Sequence, residues 1–514
     1  MDSKNVRVRF APSPTGFVHI GNIRTALFGY LFARHEKGTF ILRIEDTDRN
    51  RLVEGAVEHL LSVMEQLGIV PDEGFYLDDN GQVKTRGEYG PYLQSERLPI
   101  YQKHVLQLIQ DGKAYYCFCS EKRLEELRIE QTALKKPPMY DRHCRGLNKD
   151  EVEAERARVA AEGRNPVVRQ VMPLEGQTVI HDKIFGTITY ENKTLDDQIL
   201  LKSDGFPTYH LAVVVDDHLM QITHVTRTEE WIPSTPKHLL LYQAFGWEPP
   251  MFAHLPLVLN PDKTKLSKRQ GDVSTESFLK KGYLREALIN FLAFLGWNPK
   301  TEQEIFSIEE LIAQFDLAKV NKAGAVFDVN KLDWINGLYI RKMSNEAVAE
   351  KLVPYWTQDG YLEQQAEGYF LHGYQQVVSL EYLALVASLE KERLKKFSEI
   401  GERSRFYFHP PIYDPAIVVW KKSTPEQTKA NLLSLAKFLE TISTEEFTIT
   451  NLESKIKEFI AEQGADNGSV LWPMRVALTG LEKSPTPFEV ASVLAFGLGK
   501  KEVVKRLELA ANLL

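Results

Sequence analysis

The sequence has few cysteines and lacks any long hydrophobic run, and each absence excludes a class of protein. Three cysteines among 514 residues exclude a disulfide-stabilised scaffold and are typical of a reducing compartment. The longest apolar stretches, at residues 239–247 and 288–297, reach about ten residues, half the length of a membrane-spanning helix. Residues 1–10, MDSKNVRVRF, resemble neither a signal peptide nor a transit peptide. We therefore expect a cytoplasmic protein without a membrane span.

The charge has no strong excess of either sign. Lysine and arginine number 63 against 70 aspartate and glutamate, which gives a net charge of −7 and an isoelectric point of about 6.1. A polyanionic partner must therefore be bound by a local basic surface rather than by the overall field. The apolar share of 43% is ordinary for a folded protein, and the length predicts several domains.

The beginning of the chain has the pattern of a βαβ unit. Apolar and basic residues alternate over residues 6–10, which predicts a strand. The segment APSPTG at 11–16 must be a loop, because its two prolines and its glycine fit neither a helix nor a sheet ladder. Apolar side chains at helical spacing over 23–31 predict a helix. We expect Gly38 to end this helix and residues 39–44 to form the next strand.

The pattern changes near residue 95 and returns near residue 199. Between these points the sequence indicates a helix at 101–109, a charged region at 121–164 with little strand pattern, and strands at 167–171 and 179–190. The βαβ pattern then resumes, and a helix begins with Ser234, Thr235 and Pro236; the segments that carry this pattern are 199–202, 211–215 and 221–226.

These changes predict an α/β multidomain protein. A doubly wound, Rossmann-like catalytic domain would comprise residues 1–95 and 199–247, split by an inserted α+β domain at 96–198. Two consecutive unrelated domains are the alternative. Residues 248–345 would form a further domain. Strand signals disappear after about residue 345, so we expect 346–514 to be all-α, in two subdomains.

The most informative segment follows the first strand, where the loop leads into His19, Ile20, Gly21 and Asn22. Open α/β sheets bind ligands where a strand ends and a helix begins, and a helix N-terminus suits a phosphate. Gly21 would let a nucleotide approach the backbone, and His19 could donate an N–H to a phosphoryl oxygen. A simple hydrogen-bonding role at the helix start is the alternative for His19. The sequence has no Gly-x-Gly-x-x-Gly or Walker motif here.

A second segment, NPDKTKLSKRQGD at 260–272, carries several cations on a loop. Its Asn, Pro, Asp, Ser and Gly residues favour a loop, and it holds Lys263, Lys265, Lys268 and Arg269. Cations on a loop can close on a triphosphate and stabilise the departing pyrophosphate. A solvated surface or a plain RNA contact is the alternative.

Together these segments resemble a known family. His-Ile-Gly-Asn at 19–22 resembles the first signature of the class I aminoacyl-tRNA synthetases, usually His-Ile-Gly-His, from which Asn22 departs. Lys-Leu-Ser-Lys-Arg at 265–269 resembles the second, Lys-Met-Ser-Lys-Ser. With RFAPSPTG, RIEDTD, YHLA and RTEEW, which begin at residues 9, 43, 209 and 227, nearly the whole chain resembles the bacterial-type glutamyl-tRNA synthetases.

The resemblance implies a reaction and its partners. The chain would activate L-glutamate with Mg²⁺-ATP to glutamyl-adenylate and then transfer glutamate to the 3′-terminal ribose of tRNA(Glu). The insert would bind the acceptor end, 248–345 would contact the tRNA stem and carry the KLSKR loop, and 346–514 would bind the anticodon. We expect a monomer. Glutaminyl-tRNA synthetase, or a non-discriminating enzyme that also charges tRNA(Gln) with glutamate, is the alternative function.

The resemblance also implies site residues. His19, Lys265 and Lys268 would be catalytic. ATP would contact, besides these three, Gly21, Asn22, Glu230, Trp231 and Val258. Glutamate would contact Arg9, Ala11, Ser13, Glu45, Tyr209 and Arg227, with Glu45 taking the α-ammonium. A guanidinium pairs bidentately with a carboxylate, so Arg9 and Arg227 at strand ends suit a glutamate side chain. Val213 stands where some relatives have a substrate-contacting asparagine.

The three cysteines lie close together in the sequence, at Cys117, Cys119 and Cys144. They resemble the structural zinc site of some glutamyl-tRNA synthetases, in which a histidine follows the last cysteine by two residues; here that position is Gly146. Tyr140 has the spacing of a tyrosine ligand, and His143 is another candidate for the fourth position. A site with zinc and a site without metal both stay open.

The helical C-terminal region offers cations next to aromatics for RNA. Unstacked anticodon bases can be read by stacking and hydrogen bonding. The candidates are Lys391, Arg393, Lys395, Lys396, Arg403, Arg405, Tyr407 and Phe408. A solvated helix face is the alternative. A small-molecule nucleotidyltransferase would not need this region, and a non-catalytic RNA-binding paralogue should have lost His19 or the lysines.

Overall fold

The computed structural model describes residues 5–266 and 274–514, which form two compact units. The first comprises Met1–Phe278 and Leu288–Val329, and the second comprises Leu279–Ala287 and Asn330–Leu514. In the described part of the chain, no helix has both the length and the apolar character that a membrane crossing requires.

The strands alternate with helices through the first unit and become few in the second. The strands are β1 (Arg7–Phe10), β2 (Thr39–Leu42), β3 (Glu73–Leu77), β4 (Val83–Arg86), β5 (Ala114–Cys117), β6 (Val167–Gln170), β7 (Gln177–Asp182), β8 (Gly186–Glu191), β9 (Ile199–Leu201), β10 (His224–Thr228), β11 (Met251–Leu255), β12 (Val258–Leu259), β13 (Ala325–Val326), β14 (Leu362–Gln365), β15 (Gly368–Leu371) and β16 (Gln376–Val378).

The helices are longest and most frequent near the C-terminus. They are α1 (Ile20–His35), α2 (Ala56–Gln66), α3 (Leu98–Gln110), α4 (Glu121–Ala133), α5 (Lys149–Ala161), α6 (Tyr209–Leu219), α7 (Thr235–Phe245), α8 (Thr275–Lys280), α9 (Arg285–Phe294), α10 (Ile308–Gln314), α11 (Val329–Lys342), α12 (Asn345–Gln358), α13 (Leu380–Glu390), α14 (Gly401–Phe408), α15 (Pro425–Thr441), α16 (Ile449–Glu462), α17 (Asn467–Thr479), α18 (Pro487–Leu498) and α19 (Lys500–Asn512).

An eight-stranded sheet organises the first unit, in the order β4-β3-β2-β1-β10-β11-β7-β8. The pairs from β3 to β7 are parallel, and the edge pairs β3–β4 and β7–β8 are antiparallel. The chain winds outward from β1 through β2 and from β10 through β11, so the order reverses between β1 and β10. A ligand-binding crevice forms at such a reversal, beyond the carboxyl ends of the strands. The predicted doubly wound α/β fold is confirmed.

The insert does not follow the predicted strand assignment in two places. The strand β9, which the sequence reading gave to the Rossmann-like domain, pairs with β6 in a separate sheet of order β5-β6-β9. The hairpin β7–β8, which was expected in the insert, extends the large sheet through the pairing of Asp182 with Phe252. Strand patterns carry no information about which partner a strand finds, so this exchange was beyond sequence reasoning.

The first helix ends as expected in position but not in mechanism. Lys37, with φ of 52°, adopts the left-handed conformation after α1, and Gly38 does not. A Cβ on Gly38 would lie 2.2 Å from the carbonyl oxygen of Val6. Gly38 therefore permits the close approach of the chain to the beginning of β1.

The second unit is helical with one small sheet. Its core contains apolar side chains of every helix from α12 to α19. The strands β14, β15 and β16 form an antiparallel meander, so the expectation of an all-α region is wrong for residues 362–378. These strands have only three or four residues, too few for an alternating pattern. Tyr407 and Phe408 are fully buried, which removes them as RNA-stacking candidates.

Candidate active site

A cavity of about 730 Å³ opens at the carboxyl ends of the central strands of the first unit. Strand ends and the loops that follow them supply its walls, as the reversal of strand order requires. It is lined by eight of the residues that the sequence singled out, namely Arg9, Ala11, Ser13, Asn22, Glu45, Tyr209, Arg227 and Trp231. Segments up to 218 residues apart in the chain thus converge as the resemblance implied.

His19 caps the N-terminus of α1 beside this cavity. Its Nδ1 accepts a hydrogen bond from the backbone N–H of Gly21 at 3.0 Å. A neutral imidazole with Nδ1 as acceptor carries its proton on Nε2, so His19 can donate from Nε2. A Cβ on Gly21 would lie 3.0 Å from the His19 ring, so the small residue also leaves room for the imidazole.

Asn22 has a structural role that the sequence reading missed. Its Oδ1 accepts from the backbone N–H of His19 at 3.4 Å and completes a capping box with His19. The box satisfies two of the orphan N–H groups at the start of α1. A histidine and an asparagine three residues apart at a helix start were the available signal.

Arg9 is anchored on one side and free on the other. Its Nε–H donates to both carboxylate oxygens of Asp217, at 3.1 and 3.3 Å, and its Nη1 reaches the carbonyl oxygen of Thr226 at 3.4 Å. Within the described ranges, Nη2 of Arg9 has no hydrogen-bond partner, and Arg9 lines the cavity. The guanidinium therefore offers donors to a ligand.

A buried network of charges lies under the cavity and fixes Arg9. Arg43, completely buried, donates to Asp217 at 2.8 Å and to Glu45 at 2.9 Å. Burial opposes ionisation of Asp217, but Arg9 and Arg43 outweigh it and hold the pKa of Asp217 below its ordinary value. The neighbouring Asp216 accepts from the side chains of Arg97, Tyr101 and Gln94 at 2.7 to 2.9 Å.

Glu45 has one oxygen committed to this network and one that is not. Its Oε1 accepts from Arg43, while the structure gives Oε2 no partner among the residues it describes. Burial raises the pKa of Glu45, and the charges of Arg43 and Arg9 oppose that rise. A buried carboxylate of this kind is suited to an incoming ammonium group.

Arg227 makes five hydrogen bonds, all to uncharged acceptors. Nε donates to Nε2 of His254 at 3.1 Å, and Nη1 to Nδ1 of His238 and to the Tyr209 hydroxyl, both at 3.2 Å. Nη2 donates to Thr235 Oγ1 at 2.8 Å and, at a long 3.5 Å, to the Trp231 carbonyl oxygen. Arg227 forms no ion pair with any residue in the described part, and burial lowers its pKa.

The remaining candidates for ATP lie around one side of the cavity. The Trp231 ring lies 4.3 Å from that of Tyr209 and is 37% exposed, so Trp231 is not a core residue. Val258 is buried and holds the second signature through its carbonyl oxygen, which accepts from the N–H of Leu266 at 2.9 Å. Lys265 donates to Glu230 at 2.5 Å.

The second signature is only partly described, and its far end lies next to the first. Lys268 and Arg269 fall outside the described residues. Ser274, which follows the undescribed segment, forms an isolated antiparallel bridge with His19. Val213, the position of the relatives' asparagine, is buried in an apolar cluster and does not line the cavity.

The three cysteines meet in the insert. Their sulfurs lie within 4.8 Å of one another, and Sγ of Cys119 and Cys144 are 3.6 Å apart. The hydroxyl of Tyr140 lies 3.4 Å from Cys117 Sγ and 3.5 Å from Cys119 Sγ, whereas His143 is exposed. Hydrogen bonds from Cys119 and Cys144 lower the pKa of the Cys117 thiol. This arrangement favours Tyr140 over His143 as a fourth ligand.

Sequence reasoning did not single out the residues that hold the two arginines. Asp216 and Asp217 stand next to each other on the otherwise apolar helix α6, and such buried acids were a usable signal. Thr235, His238 and His254 carry no local signal, because their roles depend on contacts with Arg227 from other elements.

Comparisons with known proteins agree with this geometry. Residues 5–334 match the family described as tRNA synthetases class I (E and Q), catalytic domain, and residues 347–511 match the family described as anticodon binding domain. Glutamate–tRNA ligases of Dehalococcoides mccartyi strain BAV1 and Clostridioides difficile strain 630 are 45% and 43% identical to the chain. The alignments cover 99% of this chain and 97% and 99% of those proteins. A crystal structure of a glutamate tRNA ligase from Elizabethkingia meningosepticum, in complex with its amino acid, has a TM-score of 0.86 and 36% identity, with 99% of both chains covered.

Proposed function

Because the chain belongs to the class I tRNA synthetases for glutamate and glutamine, we propose that its cavity is where glutamate meets ATP. The chain is a ligase that attaches glutamate to tRNA, with ATP as the energy source. In the first step the α-carboxylate of glutamate attacks the α-phosphorus of ATP, the adenylate forms and pyrophosphate leaves. In the second, a terminal ribose hydroxyl of tRNA takes the acyl group and AMP leaves.

The observation that carries this proposal is the pair of buried arginines at one cavity. Arg9 has an unused Nη2, and Arg227 has no carboxylate partner among the residues described. A buried cation without an anion is costly unless a ligand supplies the anion. The side-chain carboxylate of glutamate fits this position, and the free Oε2 of Glu45 suits the α-ammonium.

Glutamine, the substrate of the alternative reading, fits the same position less well. Its amide carries no charge, so Arg227 would stay buried without a counter-ion, and its NH₂ would face guanidinium donors. Sites built for a specific charged or hydrogen-bonding group reject such analogues strongly. The pair of arginines therefore favours glutamate.

For ATP, we assign the phosphates to the N-terminus of α1 and the second signature. His19 would donate from Nε2 to a phosphoryl oxygen, and the positive end of α1 lies beside it. Lys265, now paired with Glu230, would exchange that carboxylate for phosphate, and Lys268 would join it. The bridge between Ser274 and His19 supports this assignment, because it places the end of the lysine segment at the imidazole. Catalysis would then rest on positioning and charge stabilisation, with no protein nucleophile.

The test compares amino acids in tRNA-dependent ATP–pyrophosphate exchange. The intact chain should use glutamate and use glutamine at least about 100-fold less efficiently in kcat/KM, as expected for a buried cation left unpaired. The Arg227→Gln variant should lose about 100-fold or more in kcat/KM for glutamate. Arg34→Gln, which removes an arginine outside the cavity, is the matched control and should stay near the wild type. Equal use of the two amino acids by the intact chain would overturn the proposal.

We also assign structural zinc to the cysteine cluster. With Zn–S bonds of about 2.3 Å and a Zn–O bond of about 2.0 Å, a tetrahedral site separates sulfurs by about 3.8 Å and sulfur from oxygen by about 3.5 Å. The 3.6 Å between Cys119 and Cys144 and the 3.4 and 3.5 Å from Tyr140 to two sulfurs agree with these values. Cys117, Cys119, Cys144 and Tyr140 would hold the ion and stiffen the insert.

Metal analysis of the purified chain tests this assignment. We expect one zinc per chain, lost in Cys144→Ser and weakened in Tyr140→Phe, with His143→Ala unchanged. A chain without zinc after purification in zinc-containing medium would contradict it. The roles of 96–198, 248–345 and 346–514 on the acceptor end, stem and anticodon remain proposals, supported for the last by the anticodon-domain match. A cytoplasmic location and a monomeric state stay predictions.

A further inference from the structure

The surroundings of Arg227 consist of groups that orient a guanidinium without balancing its charge. Two of its partners are histidine rings, His238 at 3.2 Å and His254 at 3.1 Å, and both residues are at most 2% exposed. The others are hydroxyl and carbonyl oxygens. Since burying a guanidinium among neutral acceptors alone is unfavourable, this arrangement needs a reason beyond stability.

Arginine fixes the protonation of both rings. A guanidinium can only donate, so the ring nitrogen that faces it must be without a proton. His254 therefore accepts at Nε2 and carries its proton on Nδ1, which donates to Asp182 at 2.6 Å. His238 accepts at Nδ1 and donates from Nε2 to Nδ1 of His210, 2.9 Å away. The contacts on the far side of each ring thus agree with the neutral tautomer that Arg227 demands.

Burial keeps these rings neutral. Burial lowers the pKa of His238 well below its ordinary value, with Arg227 and His210 adding to the effect. Burial also lowers the pKa of His254, although Asp182 opposes the shift. Asp182 reaches Arg227 only through the His254 ring. No carboxylate in the described ranges forms a hydrogen bond with Arg227 itself.

We propose that His238 and His254 are positioning residues that hold Arg227 with its charge uncompensated, so that the site selects an amino acid with an anionic side chain. This inference rests on the proposed function, in which Arg227 faces the side-chain carboxylate. A neutral acceptor leaves the positive charge for the ligand, whereas a carboxylate in the same place would satisfy Arg227 and remove the preference for an anion.

Substituting His238 separates geometry from charge. Asparagine and aspartate have the same shape, and each places an oxygen near the position of Nδ1. Asn supplies a neutral acceptor, and Asp beside Arg227 would be ionised. We therefore expect His238→Asn to keep glutamate KM within about threefold of the wild type. His238→Asp should raise it about tenfold or more, as for loss of a charge-assisted contact. The same change should lower the glutamate-to-glutamine ratio of kcat/KM at least about tenfold.

The readout is glutamate and glutamine kcat/KM, together with KM for ATP, in tRNA-dependent pyrophosphate exchange. KM for ATP should change by less than about twofold in both variants, because the cage contacts Arg227 and not the phosphate site. His35→Asn and His35→Asp, at an exposed histidine of α1, form the matched control pair and should both keep the wild-type ratio.

Two outcomes would overturn the inference. One is an equal glutamate-to-glutamine ratio in His238→Asn and His238→Asp; the other is a parallel rise of KM for glutamate and ATP in both. If His238→Asp does not fold, His254→Gln replaces it: its Oε1 stands at Nε2, so it should keep the ratio, whereas His254→Leu should not. The Arg227→Gln variant distinguishes the levels. If it keeps wild-type use of glutamate, the proposed function fails; if it loses glutamate while the His238 pair is indistinguishable, only this inference fails.

Discussion

Beneath the cavity the first unit buries Arg9, Arg43 and Asp217, whereas the core of the second unit consists of aliphatic and aromatic side chains. Both interiors exclude water, but they spend burial differently. Apolar burial stabilises the fold directly, at roughly 25 cal/mol per Å². A buried ion pair gives little net stability, and removing one partner is strongly destabilising. The difference indicates that the polar interior is kept for ligand recognition and the apolar one for stability.

The largest expected effect comes from breaking the polar interior. Asp217→Asn leaves Arg9 and Arg43 facing a neutral amide, which should cost about 3–5 kcal/mol of unfolding free energy. Because Arg9 loses its anchor, glutamate-dependent pyrophosphate exchange should fall as well. Denaturant unfolding and exchange kinetics measure the two effects. A variant with both properties unchanged would show that the network does not hold Arg9.

A cavity in the apolar interior should affect stability alone. Leu435 on α15 is completely buried, and Leu435→Ala should cost about 2–5 kcal/mol. At a temperature where the variant is folded, KM for glutamate should match the wild type. A specific rise in glutamate KM would mean that the two interiors do not have separate tasks.

The two interiors should respond to pH in opposite directions. Burial lowers the pKa of His210 to about 4, so between pH 6.5 and 4 the unfolded chain binds the extra proton and acid destabilises the first unit. Burial raises the pKa of Glu390 to about 7, against the charges of Arg393 and Arg403. Between pH 4.5 and 7 the folded chain then holds the extra proton, so the stability from Glu390 is present at low pH and lost as pH rises.

Single variants isolate these two contributions. Relative to the wild type, Glu390→Gln should gain about 1–3 kcal/mol at pH 8 and nothing at pH 4.5, and His210→Asn should gain more at pH 4.5 than at pH 8. Thermal unfolding at both pH values provides the measurement. The same sign of pH dependence in both differences would contradict the assignment.

The smallest effect is expected on the surface of the second unit. Glu453→Gln removes one carboxylate charge, like Asp217→Asn, but from an exposed pair with Lys457 four residues along α16. Its cost should stay below about 0.5 kcal/mol and vanish at high salt. A cost near that of Asp217→Asn would mean that burial does not set the value of these charges.

Local patterns predicted much of the fold. The alternation before residue 10, the loop prolines and the apolar spacing of α1 identified the βαβ unit and the crevice at its centre. Patterns of this kind act over a few residues, which is why they were sufficient there. The pairing of β9 with the insert and the short strands β14 to β16 depend on tertiary partners, and the sequence reading missed them.

The candidate site shows the same limit. Arg9, Glu45 and Arg227 could be named because motif resemblance carried them, and the cavity brings them together. His238 and His254 could not, since their function lies in which acceptors face Arg227. The reason for Gly38 was also out of reach, because it depends on a contact with Val6 across the chain.

A crystal structure with a nonhydrolysable glutamyl-adenylate analogue tests the central claim most directly. The account predicts the side-chain carboxylate within about 3.2 Å of Arg9 Nη2 and against Arg227, with the phosphate at the N-terminus of α1 beside His19. A side-chain carboxylate bound away from both arginines, with Arg227 still enclosed by its neutral acceptors alone, would contradict it.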